Sequence, residues 1–198
     1  MRKEHFRRKV MKNCSKNYNW SLKCYLIIFI SKGTIIGVKK EVNCMNIQKF
    51  TQKSIEAINN CEKIAYDYGN QEIDQEHFLY SLMTIEDSLI ANLIEKMNID
   101  KDIFLKNIEQ LLNQKNKVSG DVKLYISNDL NKVLVNAEDE AKRMGDSYVS
   151  VEHLMLALIA APNRAIKQLF KTYGINRESF LSVLATVRGN QTVTSDNP

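Results

Sequence analysis

The sequence predicts an all-α domain built from two tandem four-helix repeats that pack about a pseudo-two-fold axis. The chain of 198 residues contains seven glycines and two prolines, too few for the regularly spaced turns of a many-stranded β protein. Its apolar residues recur at helical spacing. Residues 50–112 also align without a gap on residues 126–188. Such a duplication indicates two copies of one folded unit.

Identical residues occur along the whole length of the two copies. Paired positions are always 76 residues apart. The identical pairs include Ala65/Ala141, Gly69/Gly145, Glu76/Glu152, His77/His153, Leu82/Leu158, Ile90/Ile166, Leu93/Leu169, Ile99/Ile175, Phe104/Phe180 and Leu105/Leu181.

Each helix is predicted from a capping residue or an apolar stripe at the same place in both copies. The first helices begin at Thr51 and Ser127 and end at Gly69 and Gly145; the second begin after Asp74 and Ser150; the fourth begin after Asp100 and Asn176. The third helices are predicted to bury Ile90, Leu93, Ile94 and Met97, or Ile166, Leu169, Phe170 and Tyr173. The fourth are predicted to bury Phe104, Ile108 and Leu111, or Phe180, Leu184 and Val187.

The connection between the copies is polar and contains Ser119-Gly120-Asp121. We therefore interpret residues 113–125 as a linker that lets the copies fold back on each other. Four short helices cannot cover all their apolar surface within one copy. The groove between the copies is the expected binding site.

Charge and cysteine content divide the chain at Met45. Residues 1–44 hold eleven Lys or Arg against two Glu, so the net charge of +5 becomes +9 in this head and −4 in the remainder. The acidic body argues against a nucleic-acid partner. Cys14, Cys24 and Cys44 lie in the head and Cys61 alone lies in the body, a usage that favours a reducing, cytoplasmic setting.

The head, residues 1–44, is predicted to be disordered or to result from a start codon assigned too early. Its apolar run, residues 24–30, is too short to span a bilayer, which takes about 20 residues, so we expect no membrane partner. The length of this run leaves a signal peptide open, although no A-x-A-like cleavage site follows. Lys40-Glu41-Val42 can be encoded by a purine-rich ribosome-binding sequence, which favours translation from Met45.

Several segments carry a family resemblance. They are Phe50-Thr51, residues 69–73 before Glu76-His77, residues 145–154, residues 187–191 and the tail, residues 192–198. Together they resemble the N-terminal, Clp-repeat domain of the ClpB and ClpC family of AAA+ chaperones. The tail is most similar to the ClpB branch, in which it leads toward an ATPase domain. The resemblance covers residues 45–198, with residues 189–198 as the start of a linker to an ATPase domain that this sequence lacks.

The resemblance implies a binding function. In that family the N-domain engages unfolded or aggregated polypeptide, or adaptor proteins, for a hexameric ATPase ring. It implies substrate-binding residues at Thr51, Asp146 and Glu152, beside an apolar groove on the second copy. Asn136 and Glu140 depart from the pattern, because another member has leucine at both positions, and a more polar groove is expected here.

Catalytic motifs are not found in the sequence. No G-x-x-x-x-G-K-[ST] is present, so we expect no ATP or other cofactor on this chain and no enzymatic activity. Glu76-His77 and Glu152-His153 lack the i,i+4 histidine spacing of a zinc site and are interpreted as first-turn helix residues. A free-standing regulatory protein that binds a Clp-type chaperone or peptidase remains an alternative function.

Overall fold

The computed structural model describes residues 47–118, 123–189 and 191–197, so the predictions for residues 1–44 and Met45 lie outside the described part. A 3₁₀ turn, Ile47–Lys49, precedes the helices. The first copy contains α1 (Gln52–Asp67), β1 (Glu72–Ile73), α2 (Gln75–Thr84), α3 (Leu89–Lys96) and α4 (Lys101–Gln114). The second contains β2 (Tyr125–Ile126), α5 (Asn128–Met144), α6 (Val151–Ala160), α7 (Arg164–Tyr173) and α8 (Arg177–Arg188). The predicted all-α fold of two four-helix repeats is confirmed.

Helix starts follow the predicted capping residues. Thr51, Asp74, Asp100, Ser127, Ser150 and Asn176 are all N-caps. The third helices are also capped, by Ser88 and Asn163, which the sequence reasoning did not single out. Gly145 ends α5 in the left-handed conformation, with φ +75°, as expected for a residue without a Cβ.

The two copies are joined by a reciprocal exchange of backbone hydrogen bonds. β2, just before α5, pairs in parallel with β1, just before α2, so that Ile126 lies opposite Ile73. At the equivalent place Phe50, just before α1, pairs in parallel with Val149, just before α6. Each first helix therefore starts beside the second helix of the other copy. The sequence reasoning did not predict these two-residue strands.

The second helices form the centre of the core. Every residue of α6 from 151 to 158 is buried, and Phe78, Leu79 and Leu82 of α2 are fully buried. The second helices contact each other and the first helix of their own copy. Because both sides of α2 and α6 are covered, the remaining helices surround them. In the described residues no helix is long and apolar enough to cross a membrane.

Part of the predicted apolar faces of α4 and α8 is wrong. Phe104, Ile108 and Leu112 are fully buried, because they follow i,i+4 spacing on one side of α4, whereas Leu111 is only half-buried. Val187 of α8 is 42% exposed and lines a groove described below. In the third helices, Met97 and Tyr173 are half-buried rather than buried.

A buried polar network crosses between the copies at the start of α2. Lys115 Nζ lies 2.8 Å from Glu76 Oε2 and 2.9 Å from Asp74 Oδ2. Asn163, the cap of α7, donates its side-chain amide to Glu76 Oε1 at 2.9 Å and its backbone N–H to Gln75 Oε1 at 2.6 Å. Burial opposes the charge on Lys115, but the two carboxylates raise its pKa above its ordinary value.

Replacement of Lys115 by methionine should destabilise the domain. The variant leaves the buried Glu76 and the half-buried Asp74 without their cation. The expected cost is about 2 kcal/mol, between the values for an exposed and a fully buried ion pair. Urea unfolding at neutral pH measures the effect, and Lys115→Arg serves as the control because it keeps the charge. A loss below about 1 kcal/mol, the scale of an exposed ion pair, would contradict the assignment of this network as a stabilising contact.

Candidate functional site

Thr51, Asp146 and Glu152, the three predicted site residues, lie in one region, where the start of α1 from the first copy meets the second copy. Thr51 caps α1, Glu152 is in the first turn of α6, and Asp146 follows the end of α5. The exchange of backbone between Phe50 and Val149 brings the start of α1 to the start of α6. Thr51 and Glu152 consequently line the same groove.

Thr51 is buried and its side chain is engaged in capping. Its Oγ1 accepts the backbone N–H of Ser54 at 3.3 Å and shares a hydrogen bond with Ser54 Oγ at 2.9 Å. Its own backbone N–H donates to the Val149 carbonyl at 3.0 Å. The residue is 2% exposed. Its cap role is therefore established, and its contact with substrate stays a prediction.

Asp146 has a fully buried side chain, and both of its oxygens accept hydrogen bonds. Oδ2 accepts from His153 Nε2 at 2.8 Å. Oδ1 accepts from the backbone N–H of Val193 at 2.8 Å and from the Arg188 guanidinium. Although burial opposes ionisation, the hydrogen bonds from Arg188 and Val193 hold the pKa of Asp146 below its ordinary value. Asp146 is thus a buried, charged acceptor in this conformation.

Arg188 joins Asp146 to Glu152. Its Nη1 lies 3.6 Å from Glu152 Oε1, and its Nε donates to the Gln191 carbonyl at 2.6 Å. Nη1 is buried and makes no hydrogen bond within the described residues. Sequence reasoning did not select Arg188 as a site residue, because nothing in its local sequence indicates that the end of α8 meets the start of α6.

The groove beside these residues is open to solvent and mixed in character. It has a volume of about 290 Å³. Leu89, Leu184 and Val187 contribute its apolar surface. Lys53, Glu152, Arg188 and Asp196 contribute its charges. This combination suits a segment of polypeptide with an apolar side chain and polar backbone groups.

The glutamate at the equivalent place in the first copy is enclosed, although Leu111 and Ala165, the counterparts of Val187 and Leu89, line an open groove of about 530 Å³ between α4 and α7. Glu76 corresponds to Glu152 by the repeat spacing, and its carboxylate is bonded to Asn163 and Lys115 as described above. The position that corresponds to Asn163 is Asp87, which is exposed and has a left-handed backbone with φ +51°. Glu76 and Glu152 are both buried, so the two copies differ in the groups that surround this glutamate.

Asn136 and Glu140, the two positions predicted to make the groove more polar, differ in their exposure to solvent. Asn136 is exposed. Glu140 is 2% exposed and is bound by two arginines, with Arg143 Nη1 at 2.7 Å and Arg177 Nη2 at 2.8 Å. The carboxylate of Glu140 is therefore a buried contact between α5 and α8 rather than an open polar lining.

His77 and His153 complete capping boxes at the second helices. His77 Nδ1 accepts the backbone N–H of Asp74 at 3.0 Å, and His153 Nδ1 accepts that of Ser150 at 2.9 Å. Each Nδ1 is therefore unprotonated, and Nε2 donates to Asn70 Oδ1 or to Asp146 Oδ2. Burial and the nearby charge of Lys115 lower the pKa of His77 to about 4. Burial also lowers the pKa of His153.

Nothing in the described residues forms a cluster of three or more His, Cys, Asp or Glu able to hold a metal ion. Both histidines use their ring nitrogens for fixed hydrogen bonds. Their chemistry is that of a helix cap, in which histidine takes the place usually held by Glu or Gln.

The fold and this site define a duplicated helical domain with a groove between its two copies. The family model of the Clp repeat (R) N-terminal domain matches residues 49–173. The chain belongs to the family of Clp-repeat N-terminal domains.

Relatives in sequence are chaperones. The chain is 38% identical over 158 residues to the chaperone protein ClpB of Bacillus anthracis and 37% identical to that of Clostridium tetani. Each match covers 78% of this chain and 18% of the relative. The chain therefore spans about a fifth of the length of these relatives.

Solved structures share the fold. The Hsp104 N-terminal domain from Candida albicans has a TM-score of 0.64 at 23% identity, covering 75% of this chain and 97% of that one. A complex of the ClpV N-domain with a VipB peptide has a TM-score of 0.59 at 17% identity, covering 82% and 100%. The N-domain of ClpV from Vibrio cholerae has a TM-score of 0.60 at 17% identity, covering 79% and 95%. At these identities the likeness concerns the fold alone.

Acidification should destabilise the domain between about pH 6.5 and pH 4. The pKa of His77 falls from 6.5 to about 4 on folding, so in this window the unfolded chain binds a proton that the folded chain does not. The free energy of unfolding therefore decreases as the pH falls, by roughly 3 kcal/mol for His77 at the lower end. Urea unfolding across this pH range measures it.

His77→Gln is the matched control for this prediction. Glutamine can serve as a capping-box acceptor but does not titrate. The variant should lose stability less steeply than the wild type on acidification, with His153 still contributing. Identical slopes for the two proteins would contradict the cap assignment of His77.

Proposed function

We propose that this domain is the substrate-binding or adaptor-docking N-domain of a ClpB-type protein disaggregase. It binds extended segments of unfolded or aggregated polypeptide, which are then handed to an ATPase ring. The observation that carries the proposal is the groove between the copies, in which Thr51 and Glu152 lie beside Leu89 and Val187. Sequence relatives named ClpB support the assignment to a ClpB-type disaggregase, and a ClpV N-domain with a bound peptide supports peptide binding by this fold.

Apolar contact provides the main attraction in this proposal. Val187 is 42% exposed, Leu89 is half-buried, and both line the groove with Leu184. An apolar client side chain that covers them loses water from both surfaces. The area is small and shallow, so binding is weak and tolerant of sequence. Such tolerance suits a chaperone that meets many clients.

Charges at the groove orient the client backbone. Glu152 lines the groove and attracts basic side chains and backbone N–H groups of the client, and Arg188 beside it holds the glutamate carboxylate in place. Asp146 acts through Arg188, because its own oxygens are occupied. The role proposed for the chain is binding without catalysis. ATP is expected only on the ATPase domains of the assembled hexamer.

Val187→Asp should weaken binding of an unfolded model protein, such as fluorescein-labelled casein, by at least about fivefold, the usual effect of losing an interface anchor. A buried or covered carboxylate without a partner opposes docking. Fluorescence anisotropy at neutral pH measures the affinity. The matched control is Ile103→Asp, because Ile103 is 53% exposed on α4 and does not line the groove. Equal affinities of the two variants would argue against this groove.

Glu152→Gln should reduce affinity for a lysine-rich unfolded peptide and leave affinity for an uncharged apolar peptide unchanged. The substitution keeps the shape of the side chain but removes its charge, and attraction between charges is screened by salt. The difference between the two peptides, measured by anisotropy at low and at high salt, should therefore shrink at high salt. A loss of affinity for both peptides at every salt concentration would instead indicate that Glu152 only maintains the fold. Thr51→Ala is less informative, because it removes a helix cap at a cost of about 1 kcal/mol.

A further inference from the structure

Residues 191–197, here called the strap, follow α8 and lie across the turn between α5 and α6. The Val193 carbonyl accepts the backbone N–H of Ser147 at 3.0 Å and of Tyr148 at 3.3 Å. The Val193 N–H donates to Asp146 Oδ1 at 2.8 Å. Further along the strap, the Asp196 carbonyl accepts the N–H of Gln52 at 2.8 Å.

These contacts are those of an extended peptide held by its backbone. All four hydrogen bonds use main-chain groups of the strap, and only the one to Asp146 uses a side chain of the body. Val193 is the one apolar residue of the strap, and it is 5% exposed. The other strap residues are exposed. A bound extended segment with one apolar anchor is also what the proposed function requires of a client.

The strap covers the groups that were predicted to contact substrate. Asp146 is enclosed by Arg188 and by the Val193 N–H. Gln52, next to Thr51, is bonded to Asp196. Thr192, Val193, Asp196 and Asn197 form one wall of the groove that Thr51 and Glu152 also line. Asp146 is therefore inaccessible to a client as long as the strap is in place.

Among the described residues of the first copy, the position that corresponds to Val193 has no apolar anchor. By the repeat spacing, Lys117 corresponds to Val193, and Lys117 is exposed. The segment after α4 is held through Val118 N–H to the Gly69 carbonyl at 2.8 Å and through Asn70 Nδ2 to the Asn116 carbonyl at 3.2 Å. The apolar anchor of the second copy, Val193, is therefore replaced by a lysine in the first copy.

We propose that the strap is an intramolecular competitor of the client for this site. The inference rests on the proposed function and adds its regulation. When the strap leaves, the N–H groups of Ser147 and Tyr148 and the carboxylate of Asp146 become free to bind an extended client. The apparent affinity for clients is then the intrinsic affinity multiplied by the fraction of molecules in which the strap is undocked.

Two variants release the strap at different points. Val193→Asp removes the apolar anchor. Gln52→Pro removes the N–H that bonds Asp196 and is compatible with the fold, because Gln52 is the first residue of α1, where proline is favoured. Thr51 before it already has the extended backbone, φ −66° and ψ 159°, that a following proline requires. Thr194→Asp is the control for added charge, because Thr194 is exposed.

Binding of fluorescein-labelled casein to the full chain tests the proposal. Val193→Asp should raise the affinity roughly tenfold, the scale expected from burial of one valine side chain, and Gln52→Pro by a smaller factor in the same direction. Thr194→Asp should equal the wild type. Hydrogen exchange should become faster at the amides of Ser147 and Tyr148 in Val193→Asp, and a synthetic peptide of residues 191–197 should compete with casein for that variant.

Two outcomes overturn the inference in distinguishable ways. If the wild type binds casein and neither strap variant binds it more tightly, the strap is only a structural element and the proposed function survives. If neither the wild type nor the variants bind casein, the proposed function fails and this inference fails with it. Circular dichroism shows whether each variant is folded. If Val193→Asp does not fold, the casein affinity of Gln52→Pro tests the inference.

Discussion

The reciprocal pairing of backbone between the two copies is the constraint on which the rest of this structure depends. Ser127 N–H donates to the Ile73 carbonyl at 2.8 Å, and Thr51 N–H donates to the Val149 carbonyl at 3.0 Å. Both donors are N-caps of first helices, and both acceptors lie just before second helices. The pairing therefore fixes each first helix against the second helix of the other copy. It also brings Thr51 to the groove that Glu152 lines.

The two copies share this backbone arrangement but differ in the side chains around the first-turn glutamate of the second helix. The candidate site lies where they differ. In each copy a cation lies near the glutamate in the first turn of the second helix. Lys115, just beyond α4, lies near Glu76, and Arg188, at the end of α8, lies near Glu152. In the first copy Asn163 also bonds Glu76. In the second copy the groove is bounded by α8 and the strap. The two copies thus share one scaffold and differ in the side chains that surround this glutamate.

The sequence predicted most of the fold because its signals are local. The duplication, the six predicted N-caps and the helical periodicity all lie within single elements. Features that depend on distant contacts were missed, namely the two-residue strands and the roles of Lys115 and Arg188. Histidine as a capping-box partner was missed because Glu and Gln are the usual residues there. Thr51, Asp146 and Glu152 came from the family resemblance, and their enclosure depends on residues 191–197, which carry no local signal of docking.

The central claim is that a client segment binds the groove between the copies that Thr51 and Glu152 line. Its most direct test is a titration of the ¹⁵N-labelled protein with an unfolded apolar peptide, followed by the shifts of backbone amide resonances. The symmetric partners provide an internal control, since Glu152 and Val187 correspond to Glu76 and Leu111. The account predicts shifts at Glu152, Val187 and Tyr148, with Glu76 and Leu111 unchanged. Equal shifts in both copies, or shifts confined to the surface between α4 and α7, would contradict it.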